Sequence, residues 1–243
     1  MQKSEESLKG LVLRASEYKE ADAMVNAICA DGFFSFAAKG VRKLTSKNSA
    51  SVQPFSYSEF SLMESSSGSL TLKQGSLLAN YQIESSIEAM TVLSFLQELT
   101  IKVVQEDEAG AAYPYLLKAC ECIKEGKDPF TMGLLYFAKV LYNGGYGLDV
   151  DECVSCHKKK GIVALSYEDG GFLCADCFDA STFEKPSLQK LKIVRYLFRC
   201  KESDFPRVEF AKKDTLPLYE ELGGYLENLT GCRLKSLSMI KSL

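Results

Sequence analysis

The residues best placed to do chemistry in this 243-residue chain are four cysteines in two pairs of the same spacing. Cys153-Val154-Ser155-Cys156 and Cys174-Ala175-Asp176-Cys177 are separated by the seventeen residues from His157 to Leu173. Two residues between paired thiols let one tight turn present both sulfurs to a single ion, and a second such turn completes a tetrahedron. Four protein ligands leave no position for water, so the site is structural and not catalytic. A thiolate tetrad selects zinc, and the spacing predicts one structural Zn2+ per chain held by Cys153, Cys156, Cys174 and Cys177. The segment Gly161 to Leu173 reads as strand, an Asp169-Gly170-Gly171 turn and strand, a β-hairpin that brings the two turns together within a module spanning 150–180.

Other chemistries fit less well. Cys153 to His157 also matches the haem-attachment pattern, but that requires export, and Met-Gln-Lys-Ser-Glu-Glu at the start carries no apolar signal segment. A thioredoxin-like role needs the first cysteine of a pair at a helix N-terminus in a βαβ unit, which the flanking sequence does not suggest. His157 is the only histidine, read as a solvated turn residue or a group behind the ligands. No Ser-His-Asp set is therefore available, phosphate-binding glycine loops are missing, and acidic pairs such as Glu17 with Glu20 or Glu220 with Glu221 read as surface charge. The chain is expected not to be an enzyme.

Composition bounds the rest. A 46% hydrophobic content supports an ordinary globular core in one large or two small domains. No apolar run approaches the roughly 18 residues of a membrane span, so a cytoplasmic protein without membrane partners is expected. Nine cysteines, four of them committed to metal, fit a reducing compartment, with Cys29, Cys120, Cys122, Cys200 and Cys232 read as buried small hydrophobes. The net charge of −3 excludes a protein that binds nucleic acid through global basicity, so any such activity must rest on local patches.

Two halves must position these groups. Up to about residue 80 the pattern is strand-like, over Leu8–Arg14, Ala23–Cys29, Phe33–Lys39, Phe55–Glu64 and Leu70–Leu77, with a tight Asp31-Gly32 turn and a Ser65 to Gly68 turn. Five short strands in some seventy residues are the content of a small closed barrel, with Phe33, Phe34, Phe36, Phe55, Tyr57 and Phe60 mostly in its core. Beyond residue 81 the period changes to that of helices. One opens with a capping box at Ser85 and Glu88, and a second runs from Pro114 to Lys124. A third spans Asp128-Pro129 to Tyr142, a fourth is capped by Ser187 and ends at Arg199, and an amphipathic last one covers Leu216 to Leu229. The fold class is α+β, a barrel at 1–80 followed by a helical domain at 81–243 that carries the zinc hairpin. The missing linker predicts that the halves pack together.

Ala37-Ala38-Lys39-Gly40-Val41-Arg42-Lys43-Leu44-Thr45-Ser46-Lys47, followed by Val52-Gln53-Pro54-Phe55, resembles the strand-and-loop signature of the bacterial recombination mediator family RecO. So do the opening Gly10-Leu11-Val12-Leu13-Arg14, the Ala21-Asp22 segment and the approach from Phe137 to Cys153, with Gly147 where a proline is common. The resemblance covers essentially the whole chain. It implies an N-terminal OB-fold barrel, a helical domain with a four-cysteine zinc module, and a non-enzymatic role in DNA repair and recombination at the bacterial nucleoid. Such proteins bind single- and double-stranded DNA, anneal complementary strands, associate with RecR, and engage the acidic C-terminal tail of single-strand-binding protein to load RecA in the RecF pathway.

Local chemistry is compatible with that. Lys39, Arg42, Lys43 and Lys47 place four cations at a strand exit and on a small-residue loop expected to be flexible, where they can follow a phosphate backbone. Arg14 and Lys9 on the first strand would extend the patch. A second cluster, Lys190, Lys192, Arg195, Arg199 and Lys201, alternates with Leu188, Leu191, Val194, Leu197 and Phe198. Lys192, Arg195 and Arg199 would hold an acidic, aromatic-ended tail. The competing reading is a zinc-stabilised adaptor whose barrel has no affinity for DNA.

Overall fold

Five strands, β1 (Glu5–Tyr18), β2 (Asp22–Cys29), β3 (Gly32–Ala38), β4 (Ser56–Glu64) and β5 (Leu70–Asn80), close in the order β1-β2-β3-β5-β4. The computed structural model describes residues 5–179 and 185–243. Residues 1–4 of the expected barrel range and residue 180 of the expected cysteine module lie outside them. All neighbouring strands pair antiparallel except β3 and β5, which meet in parallel at Phe36↔Leu70 and Ala37↔Thr71. This is the five-stranded OB arrangement. Alternation along β4 turns Ser56, Ser58, Phe60 and Leu62 inward, where Phe60 meets Phe36 at 4.9 Å and Phe34 at 6.0 Å between ring centroids.

The helices are α1 (Ile87–Val103), α2 (Ala109–Lys124), α3 (Pro129–Asn143), α4 (Leu188–Arg199), α5 (Lys212–Thr230) and α6 (Ser236–Lys241), with a hairpin of β6 (Ile162–Ser166) and β7 (Gly171–Cys174) between α3 and α4. Every residue of α3 from Phe130 to Leu141 is buried, so this helix is the axis around which α1, α2, α4 and α5 pack. Gly133 makes the packing possible: a Cβ there would collide with the Tyr219 hydroxyl, which donates to Phe130 O at 2.8 Å. No helix among the described residues is long and apolar enough to cross a membrane.

Barrel and helices share one core. Leu11, Leu13, Ile28 and Phe55 cluster with Phe95, Leu96, Leu116 and the rest of the helical interior, while Val12, Val25, Phe36, Phe60 and Leu62 form the separate barrel core. The six aromatics therefore divide. Phe34, Phe36 and Phe60 face into the barrel, whereas Phe33, Phe55 and Tyr57 pack on the cluster shared with the helices. The β2–β3 hairpin tip seats against α2, where Gly110 lies over the Ala30 carbonyl. The other end of β3, six residues or roughly 20 Å away, carries the basic loop.

Several boundaries differ from those expected. Strand β1 continues past Arg14 to Tyr18, paired with β2 from Ala15↔Val25 to Tyr18↔Asp22, beyond a bulge between Val12 and Arg14 that interrupts its alternation. Helix α2 starts at Ala109, ahead of Pro114, since its first turn buries Ala109 and Ala112, which outweighs the one bond the proline removes. The same holds for α5, which begins at Lys212 with Pro217 inside. The α1 cap is Ser86, accepting from Ala89 N at 3.2 Å, in place of the Ser85–Glu88 box; Glu88 instead binds Lys212 at 2.5 Å. Helix α6 was not expected. Among the remaining cysteines, Cys29, Cys120, Cys122 and Cys200 are buried, but Cys232 is only partly so.

Candidate metal centre and nucleic-acid interface

The hairpin does what its sequence implies. Strands β6 and β7 pair from Ile162↔Cys174 to Ser166↔Gly171, placing Cys174 at a strand end beside the turn that carries Cys153 and Cys156. His157 N donates to Cys153 O at 2.8 Å and Phe178 N to Cys174 O at 2.9 Å, so each pair sits on its own tight turn. The four sulfurs lie within 4.8 Å of one another, with Cys156 and Cys174 at 3.5 Å. A zinc ion bound at about 2.3 Å to four tetrahedral sulfurs spaces them by roughly 3.8 Å, so the donor set fits a metal ion of that class.

Electrostatics agree with the geometry. Burial alone would raise the Cys153 thiol, but backbone N–H groups of Cys174, Cys156 and Ser155 hold it down at about 6. Cys177, beside the Cys156 and Cys174 sulfurs, is pushed up to about 12, and Cys156 is also raised. A cation at the centre of the four sulfurs would favour their thiolate forms and displace protons from them. His157 is not aimed at the sulfurs: its Nδ1 meets Glu152 Oε1 at 2.7 Å and the ring is exposed.

The 39–55 connection was expected to be a flexible loop, and it is instead a chain of turns. Gly40, at φ +63°, donates its N–H to Asp22 Oδ1 at 2.7 Å, a left-handed turn that suits glycine. Arg42 N bonds Ala21 O at 3.0 Å, Lys43 N bonds Gly40 O at 3.2 Å, Ser46 N bonds Lys43 O at 2.9 Å, and Asn48 Oδ1 accepts from Gly75 N at 3.1 Å. Val41 anchors the loop in the barrel core. Lys39, Lys43 and Lys47 are exposed, and none makes an ion pair among the described residues. Arg42 is different: its guanidinium meets Glu17 Oε1 at 2.5 Å, so it ties the loop to the end of β1.

The other candidates separate. Arg14 is exposed on β1 opposite Asn26. Lys9 lies opposite Glu59, eight residues before Glu17 or roughly 27 Å along the strand, so it stands apart from the loop. On α4, Lys192 and Arg195 line a groove of about 160 Å³ with Ile162, Phe172, Leu188 and Leu191. Arg195 Nε donates to Val150 O at 2.7 Å with its guanidinium 5.5 Å from the Phe172 ring centre. Arg199 pairs with Asp151 and lines a different cavity with Lys139 and Tyr115. Lys190 binds Glu221 at 2.7 Å.

Two residues escaped the sequence reading. Glu17 had no local signal, because its partner lies 25 residues away. Lys139 looks like one more helix cation, yet it is buried in α3, donating to Phe198 O at 2.8 Å.

Comparison with known proteins follows the same division. Residues 1–81 match the family described as Recombination protein O N terminal, and residues 84–238 match Recombination protein O C terminal. The chain is 28% identical over 235 residues to the DNA repair protein RecO of Bacillus velezensis, covering 94% of this chain and 91% of that protein. It is 27% identical over 232 residues to DNA repair protein RecO of Bacillus subtilis, covering 94% and 91%, and 27% identical over 239 residues to that of Bacillus pumilus, covering 97% and 93%. With both halves matched in order and nearly the full length aligned, the chain belongs to the RecO family of DNA repair proteins.

Proposed function

We propose that this chain is a DNA repair mediator without turnover of its own, binding single- and double-stranded DNA through the basic loop of its barrel. The observation that carries this reading is the 39–47 loop, which presents Lys39, Lys43 and Lys47, exposed and without an ion pair among the described residues, at the barrel end away from α2. Its neighbour, the β1–β2 turn, carries the half-exposed Tyr18, and that turn and its counterpart between the last two strands are where OB barrels take oligonucleotides. Residues 1–80 serve as the nucleic-acid domain, and 81–243 as the helical domain that meets protein partners.

The family expectation supplies the finer steps: annealing of complementary strands, association with RecR, and RecA loading onto strands covered by single-strand-binding protein. The acidic tail of that protein would lie in the α4 groove, held by Lys192 and Arg195, with Arg199 at its edge. Cys153, Cys156, Cys174 and Cys177 would hold one Zn2+, which contributes folding energy to the hairpin and takes no part in a reaction. On this reading the chain would work in the bacterial cytoplasm, at the nucleoid.

A fluorescence-polarisation titration with a labelled oligonucleotide over a salt series tests the central claim. Three phosphate contacts on single-stranded DNA give a slope of log affinity against log salt near −2, at about −0.7 per contact. Lys43→Glu should weaken binding at low salt. Arg42→Glu should weaken it as well, through loss of the loop's tie to Glu17. Affinity that is absent in dilute buffer would favour the adaptor reading, and affinity indifferent to both changes would move the DNA site away from this loop.

A further inference from the structure

The basic loop displays one side chain that electrostatics does not explain. Leu44 is 105% exposed, more than its extended reference, while the next most exposed large apolar residue among the described residues, Ile87, stands at 72%. A single leucine in water is ordinary on a protein surface. Three features set this one apart. It occupies the second position of the Lys43–Ser46 turn, closed at 2.9 Å, so the backbone holds it outward. The turns on either side, Gly40–Lys43 at 3.2 Å and Ser46–Ser49 at 3.5 Å, together with the Arg42–Glu17 pair, keep the loop from folding the leucine back onto the barrel. Its neighbours Lys43 and Lys47 are exposed cations without an ion-pair partner among the described residues. A rigid apolar tip between cations meets a polyanion whose bases offer apolar faces.

Resting on the DNA-binding reading above, we infer that Leu44 is a wedge: it packs against the face of an unstacked base while Lys43 and Lys47 hold the flanking phosphates. Proteins that insert leucine between base steps gain a contact only where stacking can be opened. Single strands and strand junctions are then favoured over intact duplex, because every base has an apolar face and only the unpaired ones are free to present it.

The test compares Leu44→Ala, Leu44→Met and Lys43→Gln in the full chain, each titrated against a 2-aminopurine-labelled single strand and a duplex of the same sequence. Since Leu44 is fully exposed, the alanine variant should melt with the parent protein. It should bind the single strand about fivefold more weakly, keep the parent salt slope, keep duplex affinity and lose the 2-aminopurine fluorescence change. Leu44→Met should retain that signal. Lys43→Gln should do the converse, flattening the salt slope by about 0.7 and retaining the fluorescence change. Parent-like single-strand affinity or a parent-like fluorescence change in Leu44→Ala overturns the wedge. Failure of the DNA-binding reading is seen separately, as a salt slope that Lys43→Gln does not move.

Discussion

Glu98 is expected to fasten the C-terminal helix to the rest of the fold, and replacing it by glutamine measures how firmly. Helix α6 starts at Ser236 after Lys235, which has no side chain able to accept from the first free N–H groups. Glu98 on α1 supplies the missing acceptors from 138 residues away. Its Oε2 takes Ser236 N at 2.7 Å and Ser236 Oγ at 2.5 Å, and its Oε1 takes Lys235 N at 2.9 Å and Lys102 Nζ at 2.6 Å. Burial alone would raise the carboxyl, but these donors bring it from 4.5 to about 2. At about 1.4 kcal/mol per pH unit that is about 3 kcal/mol, and solvent around the exposed Lys102 reduces it to about 2 kcal/mol. The folded-state value lies below the unfolded one, so the stabilisation is complete above about pH 4.5 and is lost as pH falls toward 2. An amide keeps one acceptor and turns a donor toward the other donors. Urea denaturation of Glu98→Gln at neutral pH should therefore show a loss of about 2 kcal/mol, shrinking as the buffer is taken toward pH 3. Hydrogen exchange should rise first in 234–243. A variant within about 0.5 kcal/mol of the parent, the range of an ordinary surface substitution, or a deficit of constant size at every pH, would refute the assignment.

Two further changes probe the metal hairpin and the helical core. Cys174→Ser removes one of four sulfur ligands; since structural zinc contributes about 10 to 16 kcal/mol in finger peptides, the variant should fall below one metal equivalent by elemental analysis and lose solubility, and full zinc content would count against a four-thiolate site. Gly133→Ala ought to favour α3 by helix propensity, yet its Cβ meets the Tyr219 hydroxyl and Val92, so thermal melting should report a net loss of about 1 to 3 kcal/mol, and a raised melting temperature would show that the helices can separate without cost.

What the amino-acid sequence discloses here depends on how far apart cause and effect lie along the chain. The paired thiols, the Asp128 cap that accepts from Thr131 N at 2.7 Å and the Ser187 cap that accepts from Lys190 N at 3.1 Å each act within four residues, and all were legible. The early start of α2 was not, because it rests on the burial of Ala109 and Ala112, with Gly110 packed over the Ala30 carbonyl, and not on anything near Pro114. Helix α6 was hidden for the same reason, being capped from α1. The aromatics of the barrel show a subtler limit. Alternation tells which residues share a face of a strand, so Phe60 and Tyr57 could be assigned to opposite sides. It does not tell that the outer side is covered by helices, and Tyr57, Phe55 and Phe33 read like core because they are core, only of a different cluster. That second burial has a consequence for the loop. Once the β2–β3 tip is spent on α2, the basic end of the same hairpin is left uncovered, braced by Glu17 and Asp22 from neighbouring elements. The four cations were readable as a group from spacing alone, but their division into one brace, Arg42, and three lysines without an ion pair among the described residues required the fold; at about −0.7 per contact, that division lowers the expected salt slope from near −3 for four contacts to near −2 for three.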